Sequence, residues 1–385
     1  MSLFDSIEHT EIRAKHAHEP HFEFLNLSAT PEAEVVRTML DGWFDKIPPE
    51  ERGDIYQRFR DTNNRNHFGA FWELYLHELL LQMGFTIHFH PETETERNTT
   101  PDFLVVGHDV EFYLEATVAW VSGTEESSLK RSSFVYDLLN QLNSPDYFLL
   151  IEPEGEPRTN PPVRRLRERL ERWLQSLSYD EICRAEESHD DEAIPTYEWE
   201  HEGWKITFTP APKSEEFRGQ PGIRPIGITT TEFKIVTPQK SIRNSIRAKA
   251  RRYGEVRKPL IVAVNALEDF ANESAIFDAL FGDQQVTLSR EAGGSPTSQM
   301  SRETNGAWFG PTGPRNKRIS GVLMGIRIYP WDIINKTPIL YHHPWANFRL
   351  TEQAWPLPQK IIDEQGNIEE RAERNVVDFF TNVTL

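Results

Sequence analysis

A single cysteine, Cys183, stands in the 385 residues. Its isolation excludes an intramolecular disulfide and any zinc site built on cysteines. Thiol usage this sparse fits a reducing compartment, and a cytoplasmic setting is expected. No apolar run reaches the roughly 18 residues that a membrane-crossing helix needs. Residues 1–20 are polar and charged and lack the apolar stretch of a secretory signal. Positive charge is scarce as well: Lys and Arg number 42 against 60 Asp and Glu, for a net charge of -18. Taken alone, such a balance argues against a protein that coats nucleic acid by bulk attraction. There is no internal repeat and no extended low-complexity tract, so a repeat architecture is excluded too.

What remains is ordinary for a folded chain. Hydrophobic residues make up 38% and charged residues 26%, which suits a globular protein with one large domain or two ordinary ones. The charge is uneven. Lys240, Arg243, Arg247, Lys249, Arg251, Arg252, Arg257 and Lys258 face one acid, Glu255, in the same stretch. A local stripe of this kind can contact phosphates on an acidic protein. A solvated helix face is the alternative reading.

Periodicity predicts the elements. Thr30 and Pro31 have the form of a helix start, with Thr30 as N-cap. Apolar positions recur at helical spacing through Phe44, and Pro48-Pro49 ends the segment. A short helix is expected over Pro49–Arg60. The segment from Gly69 to Met83 is the strongest helix, rich in Leu and without proline, with Gly84 as its cap. Strands are expected at Thr86–His90, Asp102–Val106 and Glu111–Val121, then a helix at Ser132–Leu142 and a strand at Tyr147–Ile151. The stretch 153–225 is read as an insertion. It holds several prolines, a charged helix over 163–177, an acidic loop near Glu186–Glu192 and a strand at Trp204. Thr231–Val236 is a strand or a helix lead-in. A basic helix at Ser241–Tyr253 and a buried strand from Pro259 follow. A helix near Ala271–Phe281 and a strand at Gly321–Ile328 lie in the last third. The expected fold class is α/β, a mixed central sheet flanked by helices. A helical extension covers 1–65, the core covers 66–265 with its insertion, and 266–385 form an extension packed on the core.

Chemistry concentrates in the core. Glu73 and His77 are four apart on the strong helix and share a face. Asp102 opens a strand after Pro101. Glu115 lies inside the next strand between Leu114 and Ala116, and Thr117, two residues on, points to the same side. A carboxylate within an apolar strand is costly unless it is paired or binds a cation. Two on adjacent strands repel, and a divalent ion offsets that repulsion; Mg²⁺ takes a few carboxylates and keeps its waters.

The run Glu73, Pro101-Asp102-Phe103 and Glu115-Ala116-Thr117 resembles the PD-(D/E)xK, or restriction-endonuclease-like, nuclease superfamily. The expected order α-β-β-β-α-β matches as well. The likeness covers roughly residues 68–152 and 230–265, under half of the chain. It implies that Asp102 and Glu115 hold Mg²⁺ (or Mn²⁺) with help from Glu73, for hydrolysis of phosphodiester bonds. DNA is the implied substrate, defence against foreign DNA the implied setting, and a homodimer an implied assembly. Thr117 departs from the family pattern, which has lysine there. Lys249 and Tyr253, four apart on the basic helix, resemble a glutamine-then-tyrosine motif of some nuclease branches. Lys249 is read as a relocated catalytic lysine, with Lys130 as the weaker candidate. Lys240, Arg243, Arg247, Arg251 and Arg252 are read as phosphate contacts, and Thr117, Tyr253 and His77 as supporting residues. The alternative is a catalytically silent module of the same fold that binds nucleic acid or a protein; a third reading is an assembly protein whose acidic surface holds a basic partner. His88 with His90, and His342 with His343, lack metal-ligand spacing. Gly293-Gly294 lacks the lysine of a phosphate-binding loop.

Overall fold

The computed structural model describes residues 1–16, 18–93, 99–120, 124–139, 141–188, 190–220, 226–228, 238–254, 256–268, 271–289 and 297–381. The chain begins with helices α1 (His21–Leu27), α2 (Pro31–Phe44), α3 (Arg52–Phe59) and α4 (Asn64–Gln82). Strands β1 (Thr86–Phe89), β2 (Phe103–Gly107) and β3 (Val110–Ala119) follow. Next come α5 (Thr124–Leu139), β4 (Tyr147–Glu154), α6 (Val163–Gln175), α7 (Tyr179–Ser188), β5 (Tyr197–His201), β6 (Trp204–Pro212) and β7 (Ile226–Ile228). Helix α8 (Pro238–Arg252), β8 (Leu260–Ala266) and α9 (Glu273–Phe281) precede two small hairpins, β9 (Gln284–Ser289) with β10 (Thr297–Arg302) and β11 (Phe309–Gly310) with β12 (Gly313–Pro314). The last strands are β13 (Gly321–Ile326), β14 (Ile339–His342), β15 (Gln359–Ile362) and β16 (Ile368–Arg371).

Two compact units result. The first holds Met1–Arg13, Pro20–Trp120 and Thr237–Leu385; the second holds Ala14–Glu19 and Val121–Val236. The first unit is mixed α/β, with an eight-stranded sheet of order β1-β2-β3-β8-β13-β14-β15-β16. Strand β3 runs antiparallel to β2 and parallel to β8, and β8 is parallel to β13. Period-2 alternation divides the sheet's faces. Leu114, Ala116, Val118, Ile261 and Ala263 pack with α1–α4, whereas Tyr113, Val262 and Val264 pack with α8 and α9. Strand β8 is buried at all seven positions, as a central strand covered on both faces must be.

Helix α4 is the spine of one layer. The Asn63 side chain caps it by accepting from the Arg65 N–H at 2.9 Å. Its buried residues lie on every side, from His67 to Leu80, so it is an internal helix rather than a surface one. The Trp72 indole donates to the Ala263 carbonyl at 3.1 Å. Gly325 of β13 makes room for that ring, since a Cβ there would lie 3.0 Å from its Cη2.

The second unit has its own four-stranded sheet, β5-β6-β4-β7, and its own core of Val135, Leu149, Leu166, Leu170, Ile206 and Phe208, among others. Here the expected domain limits are corrected. The insertion spans 121–236 rather than 153–225, and the helix and strand expected after β3 in the core are α5 and β4 of the second unit. The order α-β-β-β-α-β of the first unit is made by α4, β1, β2, β3, α8 and β8. Residues 266–385 supply β13–β16, half of the large sheet, and so are integral to it rather than an extension. The acidic stretch near Glu186 continues α7 to Ser188 instead of forming a loop. Thr231–Val236 and Gly293-Gly294 lie outside the described residues.

Candidate active site

Register places the two central acids. Phe103 pairs with Leu114, and the same antiparallel count, continued by one residue, sets Asp102 alongside Glu115. Asp102 Oδ2 accepts the Ala116 N–H at 2.7 Å, which ties the residue to β3. Glu115 is fully buried, on the α8 side between Tyr113 and Thr117.

A buried carboxylate needs compensation, and α8 delivers it. The helix packs its Ile242, Ile246 and Ala250 stripe on β8 and β3. Its last turn thereby brings Lys249 Nζ onto Glu115 Oε1, with Arg252 Nη1 at 3.1 Å from the same oxygen. Tyr253, one residue past the helix end, donates its hydroxyl to Glu115 Oε2. Lys249 is largely covered, with its side chain 19% exposed, whereas that of Arg252 is 49% exposed. Burial and the adjoining Glu115 carboxylate hold the Tyr253 phenol far above its ordinary range, so Tyr253 stays a donor. The Arg318 guanidinium donates to the Tyr253 carbonyl and fixes the turn.

Asp102 carries the electrostatic strain of the site. Burial, then the nearby carboxylates of Glu115 and Glu73, push its carboxyl up to about 7; Lys249 and the Ala116 N–H act in the opposite direction. Among the described residues no hydrogen bond reaches its Oδ1. The raised value has a sign that can be measured. The folded state binds the proton that the unfolded chain releases from about pH 4 upward, so Asp102 lowers stability as pH rises from about 4 to 7. Asp102→Asn is expected to melt progressively above the wild type across that window. Parallel melting curves would remove the assignment of strain.

Glu73 is close enough to raise the Asp102 pKa, yet its own oxygens are engaged elsewhere. Arg58 on α3 grips them with Nη1 at 2.8 Å and Nη2 at 2.6 Å. The expected three-carboxylate cluster is therefore not assembled: among the described residues, no three His, Cys, Asp or Glu groups meet as a metal-binding set. The physical reason is that Arg58 already pairs with Glu73, and Lys249 and Arg252 with Glu115.

The other expected residues divide. Lys240, Arg251 and Arg252 are exposed on α8. Arg243 and Arg247 are turned inward, which corrects their reading as phosphate contacts. Arg243 is buried against Asp283 and the Asp278 carbonyl, and Arg247 donates to the carbonyls of Asn305 and Gly306. His77 is a core residue between the Phe89 and Phe103 rings. Burial, with Lys46 adding to it against the pull of Glu78, lowers it to about 4, so it is neutral at physiological pH. Thr117 is half-buried on the Glu115 side of β3. The Lys130 side chain lies outside the described residues. His342 and His343 serve packing, bonded to Gln359 and the Arg315 carbonyl. Sequence reasoning missed Arg58 and Arg318, because neither has any short-range spacing to the acid or the turn that it holds.

No family model matches the chain, and no curated protein or solved structure matches it. The reading of the site therefore rests on its own geometry. Two adjacent carboxylates, an ammonium and a phenol form a buried cluster of a kind that often perturbs pKa values for chemistry. Oxygen donors of this number suit a hard cation, since Mg²⁺ is commonly held by one or two carboxylates with waters. Asp102 Oδ1 is the carboxylate oxygen here that accepts no hydrogen bond among the described residues; both Glu115 oxygens are held by Lys249, Arg252 and Tyr253, and Glu73 is held by Arg58.

Proposed function

We propose that the chain is a divalent-metal-dependent nuclease with a restriction-endonuclease-like core, hydrolysing phosphodiester bonds of DNA. One observation carries the reading: Glu115, buried in β3 beside Asp102, is bridged to Lys249 and Tyr253 at the end of α8. The order α4-β1-β2-β3-α8-β8 supports it. Asp102 and Glu115 would hold the Mg²⁺ or Mn²⁺. When bound, that ion lowers the pKa of a water and offsets charge developing on phosphate. Lys249 supplies, from α8, the ammonium that the family pattern carries two residues after the glutamate, where this chain has Thr117. Its Nζ lies on Glu115 and can turn to a phosphate oxygen while Tyr253 keeps the carboxylate oriented. The exposed Arg251 and Arg252 side chains extend the positive edge toward a phosphate backbone. Defence against foreign DNA is a setting consistent with this chemistry.

A second reading, a catalytically silent module that still binds, is favoured by the full set of donors already on Glu115 and by Thr117. One experiment separates the two. Melting of the purified protein is followed during Mg²⁺ and Mn²⁺ titration, beside cleavage of plasmid and linear DNA. The nuclease reading expects a metal-dependent rise in melting temperature and cleavage, both lost in Asp102→Ala. Equal melting with and without metal, with intact plasmid, would leave only the binding module. Among the described residues no helix is long and apolar enough to cross a membrane.

A further inference from the structure

We propose that helix α6 of the second unit carries an arginine ridge that binds the phosphate backbone of nucleic acid. The identity of the polyanion rests on the nuclease reading; the ridge itself rests on the helix. Every basic residue of α6 is arginine: Arg164, Arg165, Arg167, Arg169 and Arg172. Val163, Leu166, Leu170 and Leu174 bury one face in the unit's own core. Arg165, Arg169 and Arg172 are exposed on the opposite face. Their i, i+4, i+7 spacing sets them in a row, with steps of about 6 Å and about 4.5 Å along the axis.

The arrangement opposes the stability of the helix. Like charges at i, i+4 and i, i+3 repel, and the first turn, where the helix dipole disfavours cations, holds Arg164 and Arg165 and no acid. Among the described residues the helix's ion pair is Arg167 with Glu171 at 3.8 Å. Arg172 donates to the Glu168 backbone carbonyl at 3.2 Å, and among the described residues no carboxylate pairs with Arg165 or Arg169. On a chain of net charge -18, counter-charges for such a row are plentiful, yet among the described residues none pairs with it. A row of polyanion phosphates relieves the repulsion, and the planar guanidinium grips a phosphate through two N–H groups. A membrane surface fits poorly, because an interfacial helix needs its apolar face free to insert, and here that face is buried.

The test is binding without cleavage. Anisotropy of a labelled 24-base-pair duplex is measured in EDTA over a salt series, for the wild-type chain and for Arg165→Gln/Arg169→Gln/Arg172→Gln. The variant should melt at or slightly above the wild type, since the repulsion within the row is removed, and bind at least about tenfold more weakly at low salt. Its slope of log affinity against log salt should be shallower by about 2 to 3, since each phosphate contact contributes about 0.9. Glu168→Gln, which removes the acid beside the row, should tighten binding. No duplex or single-strand binding by the wild type, or an unchanged slope in the variant, overturns the proposal. So does equal, ridge-dependent binding of polyglutamate or of phosphatidylserine vesicles. Should the triple variant misfold, the single Arg169→Gln decides by the same slope, with a change of about 1 expected. Cleavage by the wild type and its loss in Asp102→Ala report on the nuclease reading alone, so the two can fail separately.

Discussion

Glu115→Gln is expected to reduce Mg²⁺-dependent nicking of supercoiled plasmid by on the order of 10²–10³-fold, the range seen when one preorganised electrostatic group leaves an active site. The substitution keeps shape and volume, so no cavity forms in the buried position. The amide can still accept from the Tyr253 hydroxyl, and the strand register is untouched. What disappears is the negative charge that holds Lys249 and that would share a cation with Asp102. The same change removes one of the two carboxylates that push Asp102 upward, so any metal-induced rise in melting temperature should also shrink. Gel-resolved nicking over time, with matched circular dichroism spectra, measures the effect. Wild-type nicking by the folded variant would place the chemistry elsewhere in the molecule.

Lys249→Met has a different signature. It leaves Glu115 buried with the hydroxyl of Tyr253 and the half-exposed Arg252 as its remaining donors. Breaking a buried pair from one side costs about 3–5 kcal/mol, and Arg252 argues for the lower end. Denaturant unfolding of the variant should show that loss, together with loss of cleavage. The double variant Lys249→Met/Glu115→Gln should recover much of the stability and none of the activity, because a neutral pair has no unpaired charge to bury. A single variant as stable as the wild type would mean that the ammonium is not on the carboxylate in solution.

The two central acids were legible because each breaks a local pattern. Glu115 is a charge within an apolar strand, and Asp102 follows a proline at a strand start. Lys249 and Tyr253 were singled out by their four-residue spacing together with the resemblance to a nuclease-branch motif, and α8 ends in time to present both. Other features were not legible for a shared reason: they depend on partners distant in sequence. Tyr147–Ile151 has the apolar character of a core strand, and so does Leu260–Ala266. The choice between them as neighbour of β3 is made by pairing, which puts β8 there and β4 beside β6. Arg243 and Arg247 looked like members of a solvated stripe. They flank the buried Ile242 and Ile246, and Asp283 with the 305–306 carbonyls lies within their reach. Arg58, which occupies Glu73, sits 15 residues before it, on another helix.

The separation of 134 residues between Glu115 and Lys249 has a consequence during synthesis. A ribosome-bound chain that has emerged only as far as residue 236 presents Glu115 on a strand with neither its parallel neighbour nor its counter-ion. Domains fold as units while translation proceeds, so the second unit can complete itself first. Glu115 stays without its counter-ion until α8 and β8 leave the exit tunnel, so the large sheet and its buried ion pair can close only late in synthesis.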